Sequence, residues 1–241
     1  MKKLIGAAVA AGATIACAGT AHAEISGNIQ LTSDYVFRGI SLSDGSAAIQ
    51  GGFDWSNDQF YVGTWGSSLN SGGGANAEID VYAGWTPKTG PVDWDLGVIT
   101  YNYPGADDDG AEFDYYELKA AGTFNFNDTL HAGASIYWSP ENFGKTGDAR
   151  YWEVNGEYDM SDMWHFTAAY GNQQIDHPGG GSTPQDDYNT WNIGATMAMH
   201  GFEIDLRYND TDIDAGSPIE AYTFGPASYD ASYVLTIKRE L

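Results

Sequence analysis

Carboxylate side chains recur at every second position in several stretches of this sequence. Asp93 and Asp95 form one such pair, and Glu203 and Asp205 form another. On a β-strand, residues two apart point to the same side, so each pair would present two carboxylates to one surface. Paired carboxylates can exchange protons in catalysis, bind metal ions, or attract cations into a water-filled passage. Which of these three roles applies depends on the secondary structure that holds the carboxylates.

The acidic stretch 209–216 resembles a calcium-binding loop, with Asp210, Asp212 and Asp214 at alternate positions. A loop of that kind needs glycine at position 215 and an acid at position 221, and both positions hold alanine. We therefore interpret this stretch, and the run of aspartates at 106–110, as solvated acidic loops.

Two groups of histidines could carry chemistry. His177 and Ser182 lie close together in a glycine-rich stretch, but such a loop fixes a serine–histidine pair poorly, so we predict no catalytic residue and no enzyme. His131, His165 and His200 are expected to point inward near strand ends, where histidines can sense pH or bind a metal ion. No ligand spacing ties them together. The sequence therefore favours polar residues at a rim, and it predicts neither a metal site nor a cofactor.

The elements that hold these residues are β-strands. After residue 24, apolar residues alternate with polar ones and the helical period is nearly absent. The alternation predicts twelve strands, at about 25–38, 46–56, 59–68, 77–86, 92–103, 113–126, 129–139, 149–160, 163–173, 189–199, 201–210 and 229–240. Short turns such as 57–58 alternate with long polar loops such as 174–188. This layout predicts an all-β fold, a transmembrane antiparallel up-and-down β-barrel of about 12 strands.

Aromatic residues are predicted to form two lipid-facing belts, one near each end of the barrel. At the end with the short turns we expect Trp55, Phe60, Trp85, Trp94, Phe124, Phe126, Tyr158, Trp164 and Phe202. At the end with the long loops we expect Tyr35, Phe37, Tyr101, Tyr116, Trp138, Trp152, Tyr170, Trp191, Tyr208 and Tyr229. The alternative fold, a soluble lectin-like sandwich, gives no reason to sort aromatic residues in this way.

The opposite phase of the alternation predicts the residues that line a pore. They are Asp34, Arg38, Asp54, Glu78, Asp80, Asp93, Asp95, Glu117, Lys119, Glu153, Glu157, Glu203, Asp205 and Arg207, with Lys238 as a further inward base. The excess of carboxylates favours cations, because it raises their local concentration. Inward glycines are expected to leave the interior open; they include Gly52, Gly63, Gly84, Gly97, Gly133, Gly171 and Gly194. The alternative is that the carboxylates pair with the bases and tyrosine hydroxyls and only brace the wall.

Residues 1–23 are typical of a secretory signal peptide, with two lysines, an apolar stretch and an A-x-A cleavage pattern that ends at Ala23. We expect residues 24–241 to form the barrel. Cleavage would remove the only cysteine, Cys17, so no disulfide is expected. Lipidation of Cys17 is disfavoured, because the leucine usual three residues before a lipidated cysteine is absent.

Charge excludes one class of partner. Two of the 10 bases and none of the 33 acids lie in residues 1–23, so the remainder has a net charge of −25. Nucleic acid needs a basic surface and is therefore not an expected partner.

No apolar run is long enough for a transmembrane helix. We expect the partners to be outer-membrane lipid and lipopolysaccharide, together with small hydrophilic solutes or cations.

Most of the chain after residue 23 resembles the TorF-type family of bacterial outer-membrane proteins, which are inferred to be porins. The similarity is densest before residue 120 and lies in the stretches 26–55, 60–68, 77–85 and 100–105. Its most specific pattern surrounds Tyr35, Arg38, Gly39 and Ser41. The resemblance implies a porin fold in the cell outer membrane, and it brings no catalytic or ligand-binding residues.

Two functions stay open at this point. The first is a porin through which small hydrophilic solutes diffuse passively, with weak cation selectivity. The second is a non-conducting barrel, either a surface binding or anchoring protein or an acyl-hydrolase. Strand number does not decide between them. Eight strands enclose an interior that side chains fill and sixteen leave an open channel, and the predicted number of about 12 lies between the two.

Overall fold

The computed structural model describes residues 23–70, 74–106, 112–177, 186–223 and 228–241. Its strands are β1 (Glu24–Thr32), β2 (Val36–Phe37), β3 (Ile40–Ser41), β4 (Ala48–Ser56), β5 (Phe60–Ser68), β6 (Ala77–Trp85), β7 (Lys88–Thr89), β8 (Val92–Asn102), β9 (Tyr115–Asn125), β10 (Leu130–Ser139), β11 (Ala149–Asp159), β12 (Trp164–Ile175), β13 (Asp186–Met199), β14 (Phe202–Thr211) and β15 (Ser232–Glu240). Short 3-10 helices at Phe143–Lys145 and Pro218–Tyr222 lie in the connections. Within these residues, no helix has the length and apolar character that a membrane span requires.

Twelve of these strands form one closed antiparallel barrel. Each long strand pairs with the next long strand along the chain, and β15 closes the sheet on β1. The short β7 pairs with β8, whereas β2 and β3 form a separate hairpin. The predicted fold class and strand number are confirmed, and every predicted strand except the first lies within three residues of its observed bounds.

The wall has an apolar outer face and a polar inner face. Ile29 is 51% exposed while the next residue, Gln30, is 5% exposed, and Leu206 and Arg207 show the same contrast at 55% and 6%. The outer leucine, isoleucine and valine side chains form a band that would be a large apolar patch in water. Closure leaves no open sheet edge for lipid to meet. This surface is that of a barrel that spans an outer membrane.

Aromatic belts flank the apolar band, as predicted, with four exceptions. All nine aromatic residues expected at the short-turn end are exposed by 38–58%. At the long-loop end, the exposed members are Tyr116, Trp138, Trp152 and Tyr170, and Trp191 and Tyr208 are half-buried on the same face. The assignment of Tyr35, Phe37, Tyr101 and Tyr229 to this belt is wrong. Tyr101 shares the phase of Asp93 and faces inward, with 1% exposure, and the other three lie outside the strands of the barrel.

The first predicted strand is the largest error, because the strand ends at Thr32 instead of continuing to residue 38. Asp34 Oδ1 accepts hydrogen bonds from the hydroxyls of Ser41 and Ser43, at 2.6 and 2.8 Å, and these bonds turn the chain away from the wall. Arg38 and Gly39 then form the tip of the β2–β3 hairpin with positive φ angles of 49° and 83°. Residues 33–47, named here the inward loop, therefore fold into the barrel from its long-loop end.

Candidate functional site

The tip of the inward loop crosses the lumen and binds the opposite wall. The guanidinium of Arg38 donates one hydrogen bond to each carboxylate oxygen of Glu117 on β9, both at 2.7 Å. Its Nη1 also donates to Gln173 Oε1 on β12, at 2.8 Å. The loop is thereby fixed to strands that are distant from β1 and β4, between which it arises.

Aromatic rings surround the same guanidinium. Its central carbon lies 4.7 Å from the ring centroid of Phe37, 5.0 Å from that of Tyr137 and 4.3 Å from that of Tyr151. A cation over aromatic faces gains electrostatic attraction where water is excluded, and the Arg38 side chain is only 6% exposed. Charge pairing and ring packing thus hold the tip in one place.

Further contacts fasten the rest of the inward loop. The Tyr35 hydroxyl donates to Glu78 Oε1 at 3.0 Å, and the Tyr188 hydroxyl donates to the carbonyl oxygen of Arg38 at 3.1 Å. Gly39 is required at the tip, because a Cβ there would lie 2.5 Å from the hydroxyl oxygen of Thr190. The loop therefore touches the wall at β6 and β13 as well as at β9 and β12.

Each inward base forms an ion pair with a predicted inward acid. Besides Arg38 and Glu117, Lys119 pairs with Asp95 at 2.6 Å and Arg207 pairs with Asp205 at 3.1 Å. Lys238 lies 3.7 Å from Glu203, and Lys88, in the short β7, lies 3.1 Å from Asp93. For these five acids, the structure agrees with the alternative prediction, in which inward carboxylates pair with bases and brace the wall.

Other predicted pore-lining acids accept hydrogen bonds from tyrosine or serine. Asp54 accepts from the Tyr82 hydroxyl at 2.6 Å, and Glu153 accepts from the Tyr151 hydroxyl at 2.8 Å. Glu78 and Asp80 lie on β6 behind the inward loop, and each has one buried carboxylate oxygen without a hydrogen-bond partner among the described residues. Asp34 is part of the turn described above, and Glu157 lies near the short-turn end, beside Asp159.

Solvent exposure differs between the two ends of the inner surface. Where the inward loop packs, Glu78 and Glu117 are 1% and 2% exposed. Near the short turns, the side chains of Asp95, Glu203 and Asp93 are 17%, 23% and 41% exposed. The inner surface therefore combines a tightly packed section at the long-loop end with a wetter section at the other end.

The expectation that inward glycines leave the interior open is wrong. Seven positions show this: Tyr61 lies against Gly84 and Gly97, Tyr82 against Gly63, Tyr151 against Gly171, Arg207 against Gly194, Asn155 against Gly133, and the Thr64 backbone against Gly52. Six of these glycines are recesses that receive side chains from neighbouring strands, and Gly52 lies against the backbone of β5. This packing fills space that we expected to hold water.

Two of the three inward histidines meet, which the sequence analysis did not predict. His131 and His165 approach the same residue, Asp159, from the strands on either side of it. His200 lies instead in the turn between β13 and β14 with a φ of 54° and is exposed. Pairing across three strands, which sequence spacing does not reveal, brings the two histidines together.

The remaining sequence candidates have structural explanations or lie outside the described residues. Asp212 accepts hydrogen bonds from the backbone and side-chain nitrogens of Asn189, both at 2.6 Å, and Asp210 accepts from the Tyr208 hydroxyl at 2.7 Å. These carboxylates therefore stabilise strand ends. Ser182, most of the acidic stretch 106–110 and residues 1–22 are not among the described residues.

The closed barrel, its apolar band and its inward loop define a porin-like outer-membrane β-barrel. Residues 16–241 match the family described as a bacterial protein of unknown function (Gcw_chp), and the chain belongs to that family. None of the curated proteins matches its sequence.

Solved porins share the fold. The KdgM porin in complex with disordered oligogalacturonate is 8% identical with a TM-score of 0.55, over 90% of this chain and 98% of that one. The NanC porin is also 8% identical with a TM-score of 0.55, over 88% and 97% of the two chains. Salmonella typhi OmpF, in complex with daunomycin, is 8% identical with a TM-score of 0.52, over 92% and 98%.

Proposed function

We propose that the barrel is a narrow outer-membrane channel through which small hydrophilic solutes diffuse passively. The observation that carries this proposal is the inward loop, whose tip spans the lumen and is fixed to the far wall by Arg38 and Glu117. The diameter and lining of a pore decide what passes, and a loop held across the lumen sets both. The resemblance to TorF-type porins and the porin fold support the same function.

We also propose that the channel is weakly cation-selective. The inward bases are already matched by carboxylates, whereas Asp54 and Glu153 form no ion pair among the described residues. This surplus of negative charge raises the local concentration of cations. The KdgM porin structure contains an acidic sugar oligomer, but the charge of this lumen favours small neutral or cationic solutes instead.

The surroundings of the channel follow from its outer face. We propose that outer-membrane lipid covers the apolar band and that lipopolysaccharide contacts the acidic long loops, through divalent cations that bridge carboxylates to phosphates. We further propose that residues 1–23 are removed as a signal peptide and that residues 24–241 form the inserted barrel.

Planar-bilayer recording tests the function directly. Barrels of residues 24–241 are folded in detergent, checked for a mobility shift on heating, and added to a bilayer. We expect discrete current steps and a reversal potential displaced toward potassium in a KCl gradient. The displacement should shrink at high salt, because screening shortens to about 3 Å near 1 M. Folded, inserted barrels without current steps would contradict the channel, and an anion preference would contradict the selectivity.

A non-conducting barrel that binds or anchors at the cell surface is the second candidate. The buried inner side chains around the inward loop favour it, since Tyr35, Tyr101 and Tyr151 are exposed by only 1–4%. Single-channel recording separates the two candidates, because a non-conducting barrel gives no current steps, even when Arg38 is replaced and the inward loop is released. No contact among the described residues supports an acyl-hydrolase, and we propose that the barrel is not an enzyme.

A further inference from the structure

Four potential metal ligands meet on the inner wall near the short-turn end. His131 lies on β10, Glu157 and Asp159 on β11, and His165 on β12. The strand register places His131 opposite Glu157 and His165 opposite Asp159. One ligand atom from each of Glu157, Asp159 and His165 lies within 4.8 Å of the others, and His131 Nε2 lies 3.8 Å from Asp159 Oδ2.

Asn125 determines which nitrogen of the His131 ring donates a hydrogen bond to it. The Asn125 side-chain nitrogen lies 3.0 Å from Asp93 Oδ2 and 3.3 Å from the carbonyl oxygen of Pro91, both of which only accept hydrogen bonds. Asn125 Oδ1 therefore faces His131 Nδ1, at 2.7 Å, and accepts its proton. In the neutral imidazole, the lone pair is then on Nε2, which faces Asp159. A histidine whose second nitrogen donates to an oxygen is the usual arrangement around a bound metal.

One carboxylate oxygen in this cluster lacks a hydrogen-bond partner. Glu157 Oε1 is buried and has no hydrogen-bond partner among the described residues. A buried acceptor without a partner is costly, and a second carboxylate, Asp159, lies beside it. Asp159 Oδ1 approaches His165 Nδ1 to 2.5 Å, and its other oxygen lies 3.8 Å from His131 Nε2. A cation placed among these four side chains would give Glu157 Oε1 a partner and would replace the contact between His165 and Asp159.

We propose that His131, Glu157, Asp159 and His165 bind one divalent transition-metal cation, with Zn²⁺ as the best fit. Two imidazoles and two carboxylates suit Zn²⁺, whereas Ca²⁺ and Mg²⁺ prefer sites made of oxygen ligands alone. Ligands at about 2.0–2.2 Å from Zn²⁺ lie roughly 3.4 Å apart in a tetrahedron. Binding would therefore bring His131 and Asp159 closer than their present 3.8 Å and would separate His165 Nδ1 from Asp159 Oδ1, which now lie 2.5 Å apart. The proposal depends on the barrel and its register, and it holds whether or not the barrel conducts.

Zinc titration of the folded barrel tests the proposal. The protein carries no histidine tag, is freed of metal with a chelator, and is titrated with ZnCl₂ in a calorimeter. We expect saturable binding of one Zn²⁺ per barrel that millimolar CaCl₂ does not displace. His131→Ala and Glu157→Gln should each weaken binding at least tenfold, and Co²⁺ should give a visible absorption band that both variants lose.

The matched control is His200→Ala, which removes an exposed histidine from another turn at the same end of the barrel. Zinc affinity should be unchanged in this variant. Absence of saturable binding would overturn the proposal, as would equal losses in His200→Ala and His131→Ala or displacement of Zn²⁺ by an equal concentration of Ca²⁺. Glu157→Gln keeps the shape of the side chain, so it provides the test if a histidine variant fails the heat-mobility check for folding.

Discussion

Arg38 and Glu117, 79 positions apart in the chain, meet inside the barrel through two hydrogen bonds of 2.7 Å each. A guanidinium that binds both oxygens of one carboxylate fixes direction as well as distance. The two side chains are 6% and 2% exposed, so loss of either one would leave a buried charge without its partner. The pair therefore fastens the inward loop across the lumen, and a channel would widen when the fastening is removed.

The first prediction is that Arg38→Ala increases single-channel conductance. The substitution removes both hydrogen bonds to Glu117, the bond to Gln173 and the packing of the guanidinium on three rings. We expect larger and noisier current steps than in the wild type, recorded in planar bilayers under identical salt, because the loop tip is no longer bound to the far wall.

Arg150→Ala is the control for that experiment. Arg150 lies on β11 at the same end of the barrel, but its side chain is 54% exposed and pairs with Asp148 at 3.0 Å. Its removal should leave the conductance unchanged. An identical conductance in Arg38→Ala and the wild type would show that the inward loop does not limit the current.

The wall could be predicted from the sequence because lipid and lumen impose opposite demands on successive residues. Leu206 and Arg207 are adjacent, and their exposures of 55% and 6% follow the alternation directly. The inward loop continues the same alternation past Thr32, so its pattern alone does not separate it from a strand. What bends it inward is the set of bonds from Ser41 and Ser43 to Asp34, which form only when residues seven and nine apart meet.

The packing of the lumen could not be predicted for a related reason. Whether a glycine faces water or a tyrosine ring depends on a residue one strand away, as for Gly171 and Tyr151. The cluster of His131, Asp159 and His165 likewise depends on the register of three strands. The spacing of residues within a strand shows which side of the wall each one faces. Which residue of the next strand it contacts depends on the register in which the strands pair.

The second prediction concerns charge. Asp54→Asn combined with Glu153→Gln removes two inward negative charges, and no base loses an ion pair, because each carboxylate is held by a tyrosine hydroxyl. The reversal potential in a KCl gradient should move toward the chloride value, because fewer carboxylates attract cations. Neutralising the exposed turn acids with Asp58→Asn and Asp162→Asn should have a much smaller effect. Equal shifts in the two double variants would contradict the assignment of selectivity to the lumen.

The third prediction tests which residues face lipid. Val154 is the central residue of β11 and is 47% exposed on the outer face. Val154→Arg should reduce the free energy of unfolding in bilayers by about 2–4 kcal/mol, the cost of an arginine near the midplane. Asn155→Arg places the same side chain one residue further, on the inner face between Glu153 and Glu157, and should cost far less. Denaturant unfolding followed by tryptophan fluorescence measures both, and equal losses would contradict the assigned phase.

The fourth prediction tests the glycine recesses. A Cβ at Gly171 would overlap the ring of Tyr151, so Gly171→Ala should overpack the inner wall and cost about 1–3 kcal/mol of unfolding free energy. Gly156→Ala adds the same methyl group on the outer face of β11, where the nearest atom would be 4.0 Å away, and should cost nothing measurable.

A double-mutant cycle with Tyr151→Ala separates the steric clash from a general intolerance of alanine at position 171. Without the ring, the recess is empty and the added methyl group meets no tyrosine atom. Gly171→Ala should therefore cost little in the Tyr151→Ala background, and the coupling between the two sites should recover most of the loss seen in the wild type. An undiminished loss in that background would mean that Gly171 is needed for its backbone and not as a recess for the tyrosine.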